Sequence, residues 1–245
     1  FLNDKMYFRG SIGTSFTLPT AGQLYTHNPD PLYPEYGNPN LDPMESFFVN
    51  AGIGVNYDFI SAEASYFFES VTNQFDLDST STWQNIDDET KVNGYTLTAN
   101  VNLVPTLTLS GSYTRQWSKT EGTDDYRPLP KEFASFGLRW ADKVLGADAG
   151  LGFFARYQGE SHTSFAGNPY FDGSGAPETI EDFWVADFSA YVKINESNQI
   201  NLYVNNIFDK KIPTAFGAGF GPDGMIFYPY LGNPFTATLS YAFKF

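Results

Sequence analysis

The chain has no cysteine, which excludes a disulfide framework and any thiolate metal site. No apolar run approaches the roughly 18 residues of a membrane-spanning helix, and mean hydropathy is −0.30. Cations are scarce: 14 Lys and Arg stand against 28 Asp and Glu, for a net charge of −14. An excess of acid argues against nucleic acid as a partner. The opening residues, Phe1-Leu2-Asn3-Asp4-Lys5, have neither the basic start nor the apolar stretch of a secretory leader.

Aromatic side chains are abundant, at 18% of the sequence with 24 Phe and 16 Tyr, and they are arranged with period two. Phe235, Ala237, Leu239, Tyr241, Phe243 and Phe245 alternate with Thr236, Thr238, Ser240, Ala242 and Lys244. Successive side chains of a strand point to opposite faces, so this segment has one apolar face and one wet face. The pattern recurs in Met6–Phe16, Phe47–Tyr57, Ile60–Glu69, Leu107–Trp117, Ala134–Trp140, Ala149–Tyr157, Trp184–Ile194 and Ile200–Val204. One further strand is expected from near Trp83 to Leu103. That gives about ten strands, each near or above the length that crosses a bilayer at a tilt.

The connections sort by length. Short links fall at Asp58-Phe59, Val104-Pro105, Ala141 to Gly146 and Asn195 to Asn198. Long ones fall at Thr17 to Met44, Asp76 to Thr82, Ser118 to Pro130, Glu160 to Asp182 and Asp209 to Pro234. Strict alternation of short and long connections is the arrangement of bacterial outer-membrane barrels, with short periplasmic turns and long extracellular loops. A soluble sandwich has no reason to sort its loops by parity. The fold expected is therefore an all-β, antiparallel transmembrane β-barrel, with residues 1–245 forming a single barrel segment.

Several motifs resemble the TonB-dependent outer-membrane receptors. Phe16 to Pro19 resembles that family's Phe-x-x-Pro box. Gln23-Leu24-Tyr25 and Asn38-Pro39-Asn40-Leu41-Asp42-Pro43 follow in the family's order. Trp83-Gln84-Asn85, Gly94-Tyr95-Thr96 and Asn205-Asn206-Ile207-Phe208-Asp209-Lys210 resemble later boxes. Departures are Thr17 where Arg or Lys is usual, Met44 ahead of Glu45, and Thr96 in place of Glu. Prolines 19, 34, 39 and 43 remove ladder donors, so the first long connection is expected to be stiffened rather than continuous with the sheet. The motif residues are expected to be architectural.

The resemblance implies the C-terminal portion of a twenty-two-stranded barrel around a plug. The missing plug and barrel strands would come from the same or a second chain, and the first and last strands here would not pair with each other. It implies a receptor of the bacterial outer membrane, among lipid and lipopolysaccharide, energised by TonB through the plug. The cargo would be a small molecule such as a ferric siderophore or cobalamin, with no resident cofactor required and no catalysis. Candidate cargo contacts are Tyr25, His27, Tyr33, Tyr36, Arg156, Phe165, Tyr170, Phe171, Phe216, Phe220 and Tyr228. Lumen-facing Arg9, Arg139 and Arg156 would meet an anionic chelate or pair with Glu63, Glu69 or Asp187. Haem is an alternative cargo, with His27 and His162 as iron ligands. A complete ten-stranded barrel is a further alternative, acting as an adhesin or as a protease using Asp124, Asp125 and His162.

Overall fold

The structure, a computed structural model, describes residues 5–30, 34–86, 88–120, 129–163, 177–221 and 224–244. Strand β1 (Met6–Thr17) leads through helix α1 (Ala21–Tyr25) and short strands β2 (His27–Asn28) and β3 (Glu35–Tyr36) to β4 (Met44–Tyr57). After β5 (Ile60–Thr72) comes a small hairpin, β6 (Gln74–Leu77) and β7 (Trp83–Ile86), and then β8 (Thr90–Val104). Strands β9 (Leu107–Thr120), β10 (Glu132–Val144) and β11 (Ala147–Gln158) follow, with the short pair β12 (Ser161–His162) and β13 (Thr179–Ile180). The chain finishes with β14 (Phe183–Asn195), β15 (Asn198–Asn205), the ribbon β16 (Pro213–Gly221) and β17 (Gly224–Leu231), and β18 (Thr236–Phe243).

Ten of these strands form one antiparallel meander, in the order β1-β4-β5-β8-β9-β10-β11-β14-β15-β18. Among the described residues β1 pairs with β4 alone and β18 with β15 alone, so the sheet does not close on itself. A ten-stranded barrel closed by pairing β1 with β18 is thus not the arrangement observed.

Two expectations need correction. The strand expected from Trp83 to Leu103 is broken: Trp83–Ile86 turns back to pair with Gln74–Leu77, and the wall strand starts at Thr90. The link expected over Ala141 to Gly146 is tighter, because β10 continues to Val144 and only Leu145 and Gly146 make the turn. Both have positive φ, 51° and 84°, as a two-residue turn compatible with strand twist requires.

Register divides the wall into two faces. One row runs Tyr7, Gly54, Glu63, Thr98, Ser112, Ser135, Arg156, Val185 across consecutive strands. Cross-strand hydroxyl pairs hold this polar face, with Ser15 to Ser46 at 2.8 Å, Thr96 to Thr114 at 2.9 Å and Ser112 to Ser135 at 2.7 Å. The opposite face carries Phe8, Ile12 and Leu239, which are 66%, 71% and 74% exposed. Water does not tolerate so wide an apolar surface, whereas acyl chains solvate it. The sheet is thus a wall of a transmembrane β-barrel, with the apolar face to lipid and the polar face to the lumen.

Glycine shapes the lumenal face where an aromatic ring lies across its neighbour. Gly54 stands opposite Tyr7, and a Cβ there would collide with the Tyr7 ring. The flattened ring frees the Tyr7 hydroxyl to donate to Glu63 Oε2 at 2.8 Å. Glu63 Oε1 also accepts from Arg9 Nε at 3.0 Å, so Arg9 is paired along the wall.

Candidate functional site

The extracellular rim is built from connections locked by their own side chains. In the first, Thr20 caps α1 in a reciprocal capping box with Gln23. The Gly37 N–H then donates to the Thr26 carbonyl at 2.7 Å, and the Asn38 N–H to the Gln23 carbonyl at 2.8 Å. Gly37 lies so close to this helix that a Cβ would stand 2.5 Å from the Tyr25 nitrogen; no side chain fits. Asn38 Oδ1 accepts the Asn40 N–H at 2.9 Å, and Leu41 is buried.

Asn85, on the hairpin, ties this connection to its neighbour. Its Oδ1 accepts the Asp42 N–H at 2.8 Å, and its Nδ2 donates to the carbonyls of Asp42 and Asn73 at 2.9 Å each. Trp83 Nε1 donates to Glu35 Oε1 at 2.8 Å, and the Tyr36 N–H donates to the Ser81 carbonyl at 2.9 Å. The Gln-Leu-Tyr, Asn-Pro-Asn-Leu and aromatic-x-Asn boxes thus form one clamp, in the architectural role expected of them.

The last connection has an equivalent anchor. Asn206 is 3% exposed. Its Nδ2 donates to the carbonyls of Lys210 at 2.9 Å and Asn233 at 3.1 Å, and its Oδ1 accepts the Lys210 N–H at 2.9 Å. Asp209 Oδ1 accepts the Phe235 N–H at 3.0 Å. Both residues sit at positive φ, 49° and 48°, a conformation asparagine and aspartate enter more readily than most. This box closes the base of the loop and projects the β16–β17 ribbon.

Below that base the lumenal face holds a hollow of about 880 Å³, lined by residues including Phe133, Arg156, Phe183, Asp187, Asn206 and Thr214. A second hollow of about 430 Å³ continues along the wall past Arg139, Phe154 and Tyr203, and shares Asp187 and Asn205 with the first. Asp187 is the junction. Its Oδ1 accepts the Asn206 N–H at 2.8 Å, while its Oδ2 lies 3.8 Å from Arg156 Nη2. The Arg156 side chain is more than half exposed, at 56%, so this ion pair is weak and solvent-screened.

The candidate residues fall into separate groups. Tyr25, His27 and Tyr36 lie on the first connection, where the His27 and Tyr36 rings pack 5.4 Å apart. Arg156 lines the large hollow. Phe216 and Tyr228 lie on the ribbon, with the Tyr228 and Tyr230 rings edge to face at 5.6 Å. A hydrogen bond with Tyr230 raises the Tyr228 phenol above its usual pKa. The backbone of Phe220 belongs to β16, but its side chain lies outside the described residues, as do Tyr33, Phe165, Tyr170, Phe171, Asp124 and Asp125. His162 pairs with Thr179 on the fourth outer connection. Among the described residues no group of three or more His, Asp and Glu is placed to hold a metal ion. The particular bonds of Asn85 to Asp42 and Asn73, the second bond of Asp187 to Asn206, and the aromatic lining by Phe133 and Phe183 have no local sequence signal, because the partners are distant along the chain.

Comparison with known proteins agrees with this architecture. A family model described as TonB dependent receptor-like, beta-barrel, matches residues 2–207. The vitamin B12 transporter BtuB of Vibrio vulnificus is 26% identical over 98% of the chain, which covers 36% of BtuB. The ferric-catecholate import receptor Fiu of Escherichia coli K12 superposes with a TM-score of 0.75 at 19% identity, over 100% of this chain and 34% of Fiu. The pyoverdine receptor FpvA of Pseudomonas aeruginosa PAO1, solved bound to pyoverdine, gives a TM-score of 0.75 at 21% identity over 100% of this chain and 34% of FpvA. The chain spans about a third of the length of each of these proteins.

Proposed function

The chain belongs to the TonB-dependent receptor β-barrel family, and on that premise we propose that it supplies the C-terminal wall and outer loops of a receptor for a scarce nutrient. The cargo class is a ferric siderophore or cobalamin, the substrates named for Fiu, FpvA and BtuB. The remaining strands and a plug complete the barrel in this reading, and TonB acts on the plug. The part played by this chain is binding and enclosure rather than catalysis.

The observation that carries this reading is the large hollow beneath the ribbon, with Arg156 exposed in it and Phe133 and Phe183 beside it. Guanidinium recognises carboxylate, catecholate and phosphate oxygens through a planar fork of donors, and aromatic walls add apolar contact. Arg156 shares Asp187 with the loop anchor Asn206. An anionic cargo that draws Arg156 away from Asp187 therefore acts on the base of the ribbon, coupling occupancy of the hollow to the loop above it.

The test uses the receptor in its native membrane. Deleting it should abolish TonB-dependent growth on one of ferric catecholate, ferric pyoverdine-type chelate or cobalamin. Arg156→Ala should weaken binding of that same ligand. A haemin titration followed at the Soret band, with His27→Ala alongside, checks the haem alternative. Unchanged growth on every source, with no saturable binding of any of them, overturns the proposal.

A further inference from the structure

The hollow around Arg156 continues into two others down the lumenal wall. It meets the second, of about 430 Å³, at Asp187 and Asn205. The second meets a third, of about 230 Å³, at Arg139, Gly152, Ser189 and Tyr203. The third reaches Tyr191, Gln199 and Asn201, toward the short turn at Leu145 and Gly146. Together they form a furrow along β10, β11, β14 and β15, which are consecutive in the sheet. Small residues make its floor. A Cβ on Gly137 would stand 2.5 Å from Ser110 Oγ, and one on Gly152 2.6 Å from Ser189 Oγ. Hydroxyl groups therefore lie over the two glycines and leave the floor low and polar. Phe154 opposite Gly137, and Tyr203 opposite Ser189, flank it.

Charge is unevenly distributed along this furrow. Arg9, Arg115 and Arg156 each face a carboxylate, those of Glu63, Glu132 and Asp187. Among the described residues no carboxylate lies within ion-pair distance of Arg139. Arg139 is level with Gly152, four residues down β11 from Arg156, a distance of about 13 Å along an extended strand. Asp187 is level with Phe154, between the two arginines, and its oxygens are directed to Arg156 and the Asn206 N–H. A guanidinium among hydroxyls and amides, with no carboxylate of its own, suits a pair of anionic oxygens.

We propose that Arg139 is a second station for the cargo, holding its anionic oxygens in transit after they leave Arg156. The inference rests on the reading of the Arg156 hollow as the first binding site. The chemistry recognised is that of a catecholate or carboxylate chelate, gripped by the guanidinium fork with the hydroxyls of Ser110, Ser189 and Tyr203 beside it. Asp187 keeps the two stations distinct. It opposes an anion lingering between them, and it pairs again with Arg156 once the anion has moved down.

The experiment uses the full receptor in its native membrane and a radiolabelled ferric catecholate chelate, with surface binding measured in de-energised cells and uptake in energised ones. Arg139→Gln should lower the maximal uptake rate roughly tenfold, the loss of one charge-assisted hydrogen bond, while half-saturation of surface binding moves by less than about twofold. Arg156→Ala should instead weaken surface binding. Arg139→Lys should recover most of the uptake, because it restores the charge. Normal uptake by Arg139→Gln would overturn the second station and leave the first standing. A loss of surface binding equal to that of Arg156→Ala would merge the two arginines into one site and overturn it as well. Lost assembly of Arg139→Gln on heat-modifiability gels, or uptake no better in Arg139→Lys, would assign Arg139 a structural role and overturn the proposal. Failure of the wild type to bind the chelate would overturn the reading of Arg156, and the second station with it.

Discussion

The two faces of this wall obey opposite rules although they are made of alternate residues of the same strands. Across the apolar belt of the lipid side, neighbours are interchangeable apolar groups such as Phe8, Ile12, Leu138 and Leu239, and the wall needs only apolarity there. On the lumenal side, groups are individually partnered: Tyr7 and Arg9 with Glu63, Thr96 with Thr114, and Arg156 and Asn206 with Asp187. Lipid cannot replace a lost hydrogen bond, whereas water in the lumen can. Specificity therefore accumulates on the lumenal face and on the loops above it, while the outer face carries the cost of any polar error.

The largest expected effect breaks this contrast on one strand. Leu239→Arg places a cation in hydrocarbon near mid-strand and should cost roughly 2–4 kcal/mol, seen as lost assembly on heat-modifiability gels. Ser240→Arg, one residue on, points into the lumen and should assemble nearly normally. Equal tolerance would dissolve the distinction between the faces.

A smaller effect is expected where the lumenal face meets the last loop. Asn206→Ala leaves the Lys210 and Asn233 carbonyls and the Lys210 N–H without their partner, a loss of about 1–3 kcal/mol for buried polar groups. Hydrogen exchange should rise across 207–235 while β15 and β18 stay protected. Protection lost evenly over all of these would show that Asn206 is not a local anchor.

Glu63→Gln should cost less still. Arg9 is 59% exposed, so the pair is screened and worth about 1 kcal/mol or less. Thermal unfolding should shift slightly, and the shift should shrink in high salt. A shift of several kcal/mol would mean that the lumenal pairs stabilise the wall rather than order its surface.

The smallest effect is confined to the β6–β7 hairpin. The Thr80 hydroxyl, with the N–H groups of Thr82 and Thr80, holds the Asp78 carboxyl below the ordinary carboxylate range. Because the folded pKa is depressed, the stabilisation is complete above the unfolded value and is lost as pH falls through the folded one. Exchange at Thr80 and Thr82 should therefore be steady at neutral pH, after correction for intrinsic rates, and rise only below about pH 4. Asp78→Asn should flatten that dependence; a persistent acid transition in the variant would assign it to another group.

The strands were legible because period-two alternation is a local signal, and loop parity supplied the membrane topology. The small hairpin was not. Trp83–Ile86 carries the same alternation as the wall, and its pairing with Gln74–Leu77 depends on the tight Asp78–Ser81 turn. The ribbon from Pro213 to Leu231 falls within the long connection expected over Asp209 to Pro234, and its pairing rests on contacts such as Gly217 directly opposite Tyr228, whose ring covers it. Pairing of Arg9 with Glu63 and of Arg156 with Asp187 was among the alternatives from parity alone. The link from Asp187 to Asn206 was not, since no local pattern announces that a wall carboxylate also caps a loop.

The central claim is that alternate residues of one strand face lipid and lumen, and the absence of cysteine makes it directly measurable. Single cysteines placed in turn along β18, from Thr236 to Phe243, can be labelled in intact outer membranes with a small water-soluble thiol reagent and, separately, with a fluorophore quenched by lipid-borne nitroxide. Positions 236, 238, 240 and 242 should react with the aqueous reagent. Positions 237, 239, 241 and 243 should resist it and be quenched from the lipid. A smooth gradient along the strand, or the opposite phase, would contradict the account.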